Sequence, residues 1–200
     1  MGYRDTWLMH AGGVTRHAEV VLHAFDREFP TESVRVLDVG VENGGSLEVW
    51  KSCLPDGSTV LGMDSDPRCK DLGLDVVVCD VTDGNAVKEA LRGQWFDLIV
   101  DSTGEMSPWT WAFLRPGGRL IFEDYERLDL MGLVDAVAAD GESWLPVEEI
   151  MRVTVFPRVA VVEKRYPRVI PYADVMVGNF ADVTGERALT ESGTRWVLVD

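Results

Sequence analysis

Residues 34–50 read VRVLDVGVENGGSLEVW, and the order of residue types in this stretch decides the fold. Val34, Val36, Leu37 and Val39 form a short apolar run rich in β-branched residues, the mark of a strand buried within a parallel sheet. The strand runs out at Asp38-Val39-Gly40 and a glycine-rich loop, Asn43-Gly44-Gly45, follows. Ser46 stands where a helix N-cap is expected, and Leu47 and Trp50 begin a helical spacing. Strand, glycine turn and helix start are how open α/β sheets hold nucleotide-like ligands. The glycines admit the ligand close to the backbone, and the free N–H groups of the first helical turn face it. Glycine falls at positions 40, 44 and 45, which is not the G-x-G-x-x-G spacing of dinucleotide sites and speaks against a simple NAD pocket.

On the N-terminal side, residues 1–33 read as a lead-in segment and a helix. Val14, Ala18, Val21, Leu22 and Phe25 are helically spaced, and Pro30 closes the element. His17 and His23 lie on this helix without the i, i+4 spacing of a ligand pair, so surface or capping roles are expected for both.

On the C-terminal side, strand and helix signals alternate. A second strand over 58–63 ends at Asp64, about twenty positions past the glycine loop, where doubly wound sheets place a carboxylate that accepts both ribose hydroxyls. The alternative for Asp64 is a turn-forming role before Ser65-Asp66-Pro67. A third strand over 74–79 ends at Asp80, and a helix over 85–91 follows. A fourth strand over 96–101, FDLIVD, precedes a short helix over 107–114 with Pro108 in its first turn. Arg115-Pro116-Gly117-Gly118 reads as a tight turn, and a fifth strand over 119–122 ends at Glu123-Asp124-Tyr125. A helix over 128–139 is stopped by Asp140-Gly141. Two further runs, 150–156 and 158–163, flank Pro157 and read either as a hairpin or as one long strand broken by a bulge.

Five β-α repeats followed by that pair predict a doubly wound α/β fold, a mostly parallel seven-stranded sheet with a C-terminal antiparallel hairpin. Six carboxylates, Asp38, Asp64, Asp80, Asp101, Glu123 and Asp124, then fall at or near strand C-termini, the edge where such sheets bind ligands. The expected organisation is a core over 34–163, preceded by residues 1–33 and followed by an extension over 164–200. That extension reads as an edge strand, a lid or a segment contacting a second copy in a homo-oligomer.

Composition narrows the function. Thirty-four acidic residues against nineteen basic ones give a formal charge of −15, a field that repels phosphate backbones and argues against nucleic acid as a partner. Neutral or cationic substrates suit it better. No apolar run is long enough to cross a bilayer, and the first residues lack a basic segment followed by an apolar one, so neither a membrane nor a secretory route is expected. Gly2 and Thr6 match a short myristoylation pattern, but the chain has no polybasic patch to add the second membrane signal. Cys53, Cys69 and Cys79 fit neither a disulfide framework nor a zinc knuckle and point to the cytoplasm.

The succession LDVGVENGGS, an acidic residue after strand two, Asp80 after strand three, FDLIVD and RPGGRLIFED resembles the class I S-adenosylmethionine-dependent methyltransferases. Within that Rossmann-like superfamily, GGSLEVW with IFEDY far downstream is similar to the macrocin-type sugar O-methyltransferases and the cephalosporin-hydroxylase-like group. The resemblance implies that Asp38, Gly40 and Gly44 line the methionine part of S-adenosylmethionine, that Asp64 holds its ribose and that Asp80 lies beside its adenine. It also implies a divalent cation such as Mg²⁺ on Asp101, Glu123 and Asp124, all hard oxygen donors. Such an ion would bind neighbouring hydroxyls of a small-molecule or sugar substrate and lower the pKa of one.

Related enzymes carry Asp-Asp-Gly-Ser-His after strand four, with the His as base. Here the run is Asp101-Ser102-Thr103-Gly104-Glu105, so Ser102 replaces a carboxylate and Glu105 stands in the base position. Glu105 reads either as the base or as a solvated loop residue. Trp109, Trp111 and Tyr125 are candidate walls of a substrate pocket, with at least one Trp expected in the core. The expected function is O-methyl transfer to a hydroxyl. The alternatives are a binding or scaffolding protein that keeps the fold without turnover, and a nicotinamide oxidoreductase.

Overall fold

The structure, a computed structural model, describes residues 30–103, 108–123, 133, 145–156, 159–166, 168–171, 187–191 and 194–199. The helix expected over 14–29, Glu105, Asp124 and Tyr125 lie outside the described residues, as does all of the helix expected over 128–139 except Leu133. The chain divides into two compact units, residues 1–164 and 165–200.

The first unit is built on a seven-stranded sheet of β1 (Arg35–Val39), β2 (Thr59–Asp64), β3 (Val76–Val78), β4 (Phe96–Asp101), β5 (Leu114–Glu123), β6 (Ile150–Phe156) and β7 (Val159–Lys164). Their spatial order is β3-β2-β1-β4-β5-β7-β6. The β3-β2-β1-β4-β5 run is parallel, and β7 enters antiparallel between β5 and β6. The chain thus reverses direction of travel across the sheet between β1 and β4, which opens a crevice at the strand C-termini. The predicted hairpin is present, which removes the reading of 150–163 as one bulged strand.

Strand alternation divides the core. Leu37, Val39, Met63, Ile99, Leu120 and Phe122 face one side, and Val36, Leu98, Val100, Ile121 and Val161 the other. Each such side chain contributes about 1.5–3 kcal/mol on burial. Helix α1 (Gly45–Cys53) buries Leu47, Val49 and Trp50. Helix α2 (Gly84–Ala90) is capped by Asp83, whose carboxylate accepts the Asn85 and Ala86 N–H groups. Helix α3 is a single turn (Pro108–Trp111), shorter than expected because Leu114 already belongs to β5.

Three local expectations change. Ser46 is not the N-cap of α1: Gly44 is, in the left-handed conformation (φ 83°), and Asn43 Oδ1 accepts the Gly45 N–H at 3.1 Å. β3 is confined to Val76–Val78, with a 3₁₀ turn (Pro67–Leu72) before it. The turn expected at 115–118 lies inside β5 as a bulge, where the register to β4 shifts between Phe96 and Leu98. Asp97 steadies that bulge, accepting the Arg35 N–H at 2.6 Å and pairing with Arg115 at 2.5 Å.

The second unit holds a separate three-stranded antiparallel sheet, ordered β8 (Arg168–Pro171), β10 (Thr194–Val199), β9 (Arg187–Glu191). These strands pair with one another. Among the described residues no helix is long and apolar enough to cross a membrane.

Candidate functional site

The C-terminal tips of β1, β2, β3 and β4 enclose a cleft of about 280 Å³, close to the lower bound of roughly 300 Å³ for small-molecule sites. Gly40, Glu42, Asp64, Asp80, Ser102 and Thr103 supply its polar wall, and Met63, Cys79 and Val81 its apolar one. Gly40 closes the end of β1 with φ 91°, and its N–H donates to the Met63 carbonyl at 2.9 Å. A Cβ there would stand 2.7 Å from Ser102 Oγ and 3.2 Å from Thr103 Cγ2. The position therefore requires glycine for both conformation and space.

Asp64, the last residue of β2, braces the glycine loop. Its Oδ2 accepts the Glu42 N–H at 2.9 Å and its Oδ1 accepts the Asp66 N–H at 2.8 Å. Each carboxylate oxygen keeps a second lone pair, so acceptor capacity for a ligand remains. Asp80 opens the loop after β3. Its Oδ1 accepts the Thr82 hydroxyl at 2.7 Å and the Thr82 N–H at 2.9 Å, and these bonds, the hydroxyl first, hold its carboxyl below the ordinary aspartate value. The Cys79 thiol beside it is pushed up, first by burial and then by the charges of Asp80 and Asp83. All three cysteines are free thiols.

Ser102 ties the β4 loop to the glycine turn: its Oγ lies 3.0 Å from the Val39 carbonyl and 3.2 Å from the Gly40 carbonyl, donating to them. A carboxylate there would face two acceptors and carry no proton to share, which is a physical reason for serine at this position. Asp101, 1 % exposed, accepts the Thr103 N–H at 3.0 Å and the Thr103 hydroxyl at 2.6 Å.

No family model matches the chain, and no curated protein does. Solved structures match. One is MycE, a methyltransferase from the mycinamycin biosynthetic pathway in complex with Mg, SAH and mycinamycin VI. It aligns at 27% identity with a TM-score of 0.63, over 82% of this chain and 49% of that one. A second MycE structure, with Mg and SAH, gives a TM-score of 0.66 at 22% identity over 82% and 55%. This chain has the class I S-adenosylmethionine-dependent methyltransferase fold. It spans about half the length of the MycE structures it matches. The CurJ carbon methyltransferase has the same fold at a TM-score of 0.50 and 14% identity, over 80% of this chain and 54% of that one, so the fold alone does not choose the acceptor atom.

Within this methyltransferase fold, three of the five residues expected at the cofactor, Gly40, Asp64 and Asp80, meet in the one cleft. Asp38 is buried in β1 at 2 % exposure, flanked by Gly62 and Val100, and does not line it. Gly44 does not either; its missing side chain is used by Leu74, whose Cδ1 would lie 2.7 Å from a Cβ there. Of the three expected metal ligands, Asp101 and Glu123 are buried at adjacent strand ends. Asp101 stands opposite Phe122, so alternation turns Asp101 and Glu123 to opposite faces of the sheet. A cation shared by both would have to sit at the strand tips. Among the described residues no three His, Cys, Asp or Glu groups are arranged to hold one.

Trp111 is core, and its Nε1 donates to Glu149 at 2.8 Å. Trp109, 39% exposed, covers Gly84 at the start of α2 with Lys88 Nζ 5.3 Å from its ring centroid. The sequence reading missed Glu42, Ser102 and Thr103 as cleft residues. Its one available signal was position: each lies within two residues of a residue it had singled out.

Proposed function

We propose that the chain is an S-adenosylmethionine-dependent methyltransferase that transfers the methyl group to a hydroxyl of a small molecule or sugar. The observation that carries this reading is the convergence of Gly40, Asp64 and Asp80 on one cleft at the edge where this fold takes its cofactor. One matched MycE structure holds Mg, SAH and mycinamycin VI, which supports the donor and a small-molecule acceptor.

The bound donor supplies an electrophilic methyl group, and the chain's own residues do the rest. Gly40 gives the ligand a wall without a side chain, Asp64 accepts its ribose hydroxyls, and Asp80 borders its base. Gly44, as the left-handed N-cap, sets the start of α1. Alignment of donor and acceptor supplies most of the rate in a direct displacement of this kind. The acceptor proton goes to Glu105, the residue assigned here as base. In the fuller reading Asp101, Glu123 and Asp124 would hold Mg²⁺, which would acidify the acceptor hydroxyl.

Transfer of labelled methyl from the donor to a panel of sugar and small-molecule hydroxyls, with and without Mg²⁺, tests these parts separately. Transfer abolished by chelation supports the metal, and transfer unaffected by chelation removes it. A second reading, a binding protein without turnover, is favoured by the Asp101–Glu105 departure. It predicts donor binding with no methylated product from any acceptor.

A further inference from the structure

Glu42 is the one non-glycine residue with positive φ (49°) among the described residues. An L-residue pays for that conformation, and both of its backbone polar groups are committed to keeping it there. Its N–H donates to Asp64 Oδ2 at 2.9 Å, and its carbonyl accepts the Cys69 thiol at 3.3 Å. Glu42 lines the cleft and is exposed, and its carboxylate makes no hydrogen bond or ion pair among the described residues. Asp64 and Asp80 line the same cleft, and no Lys, Arg or His does among the described residues. Arg68, close by in sequence, is held by Asp66.

We propose that Glu42 is a specificity-determining residue that makes the cleft prefer the positively charged methyl donor to the spent product. The inference rests on the donor-binding role given to this cleft above. S-adenosylmethionine and S-adenosylhomocysteine share adenosine, amino and carboxylate groups. They differ by one methyl and by the unit charge of the sulfonium. A carboxylate at the cleft favours the charged ligand alone, in proportion to its nearness and to the local dielectric. When the S–CH₃ bond breaks, its electron pair stays on sulfur and the charge there disappears. The product then loses an attraction that the donor had, and a fresh donor displaces it more readily. In a solvent-exposed cleft one carboxylate changes this preference by about three- to tenfold.

Titration calorimetry of both ligands on the full chain and on Glu42→Gln, at low and high salt, tests the proposal. The unaltered chain is expected to bind the donor more tightly than the product. In Glu42→Gln that preference shrinks about three- to tenfold, while product affinity stays within about twofold. Glu42→Asp, which keeps the charge, retains most of the preference. Added salt erodes the preference in the unaltered chain more than in the glutamine variant. An unchanged preference overturns the proposal, as does equal weakening of both ligands, which would set Glu42 against a group they share. If the unaltered chain binds neither ligand, the donor-binding reading of the cleft itself falls, a result distinct from both of those.

Discussion

Gly40 and Ser102 illustrate how single atoms set this site. A methyl group on Gly40 would collide with Ser102 Oγ and Thr103 at a φ that L-residues avoid. Gly40→Ala is therefore expected to destabilise the chain by about 1–3 kcal/mol in urea unfolding and to weaken ligand binding beyond detection in calorimetry. A variant that binds as well as the parent would mean that the turn is not part of the cofactor wall. Asp80 is held ionised by Thr82, so its folded pKa lies below the unfolded one. Its contribution to stability is present above the unfolded value and is lost as pH falls through the lower folded value. A carboxyl NMR titration is expected to place the Asp80 midpoint below that of a model peptide, and Thr82→Ala to move it back up. The carboxylates Asp64 and Asp80 were legible in the sequence because each directly follows a strand signal. Ser102 was not, since its role depends on carbonyls sixty-two and sixty-three positions away.

Elements with a strong local period were also legible: β1, β2, β4 and the β6–β7 hairpin fall within a few residues of where their apolar patterns put them. The bulge in β5 was not, because Pro116-Gly117-Gly118 reads locally as a turn and only pairing with β4 carries the strand through it. The start of α1 likewise moved from Ser46 to Gly44, where the left-handed glycine and the Asn43 side chain do the capping. At α2 the cap followed local chemistry, and Asp83→Ala is expected to cost about 1 kcal/mol in urea unfolding through two lost N–H acceptances. Trp111 ties α3 to Glu149 and to Lys164, whose Nζ donates to the Trp111 carbonyl at 3.0 Å. Trp111→Ala is expected to cost about 3–5 kcal/mol, while Trp111→Phe recovers most of it, since area and not the single indole bond dominates. Equal losses in the two variants would contradict that division.

Across the whole molecule, the class of fold followed from counting strand and helix signals. The order of strands did not, since sequence does not state on which side of β1 the chain resumes after β3. That choice is what creates the crevice, because it separates the loops after β1 and β4 and leaves the tips of β1, β2, β3 and β4 around one space. Acidic residues concentrated at this edge, on a chain of net charge −15, suit a cationic ligand better than a phosphorylated one. The central claim is that S-adenosylmethionine and its product occupy this crevice, with Asp64 holding the ribose. Titration calorimetry of S-adenosylhomocysteine on the unaltered chain and on Asp64→Ala tests it most directly. The account predicts saturable binding with one equivalent, weakened at least about tenfold by the substitution, the equivalent of losing one or more charge-assisted hydrogen bonds. No binding to the unaltered chain at millimolar ligand, or equal binding to both proteins, would contradict it.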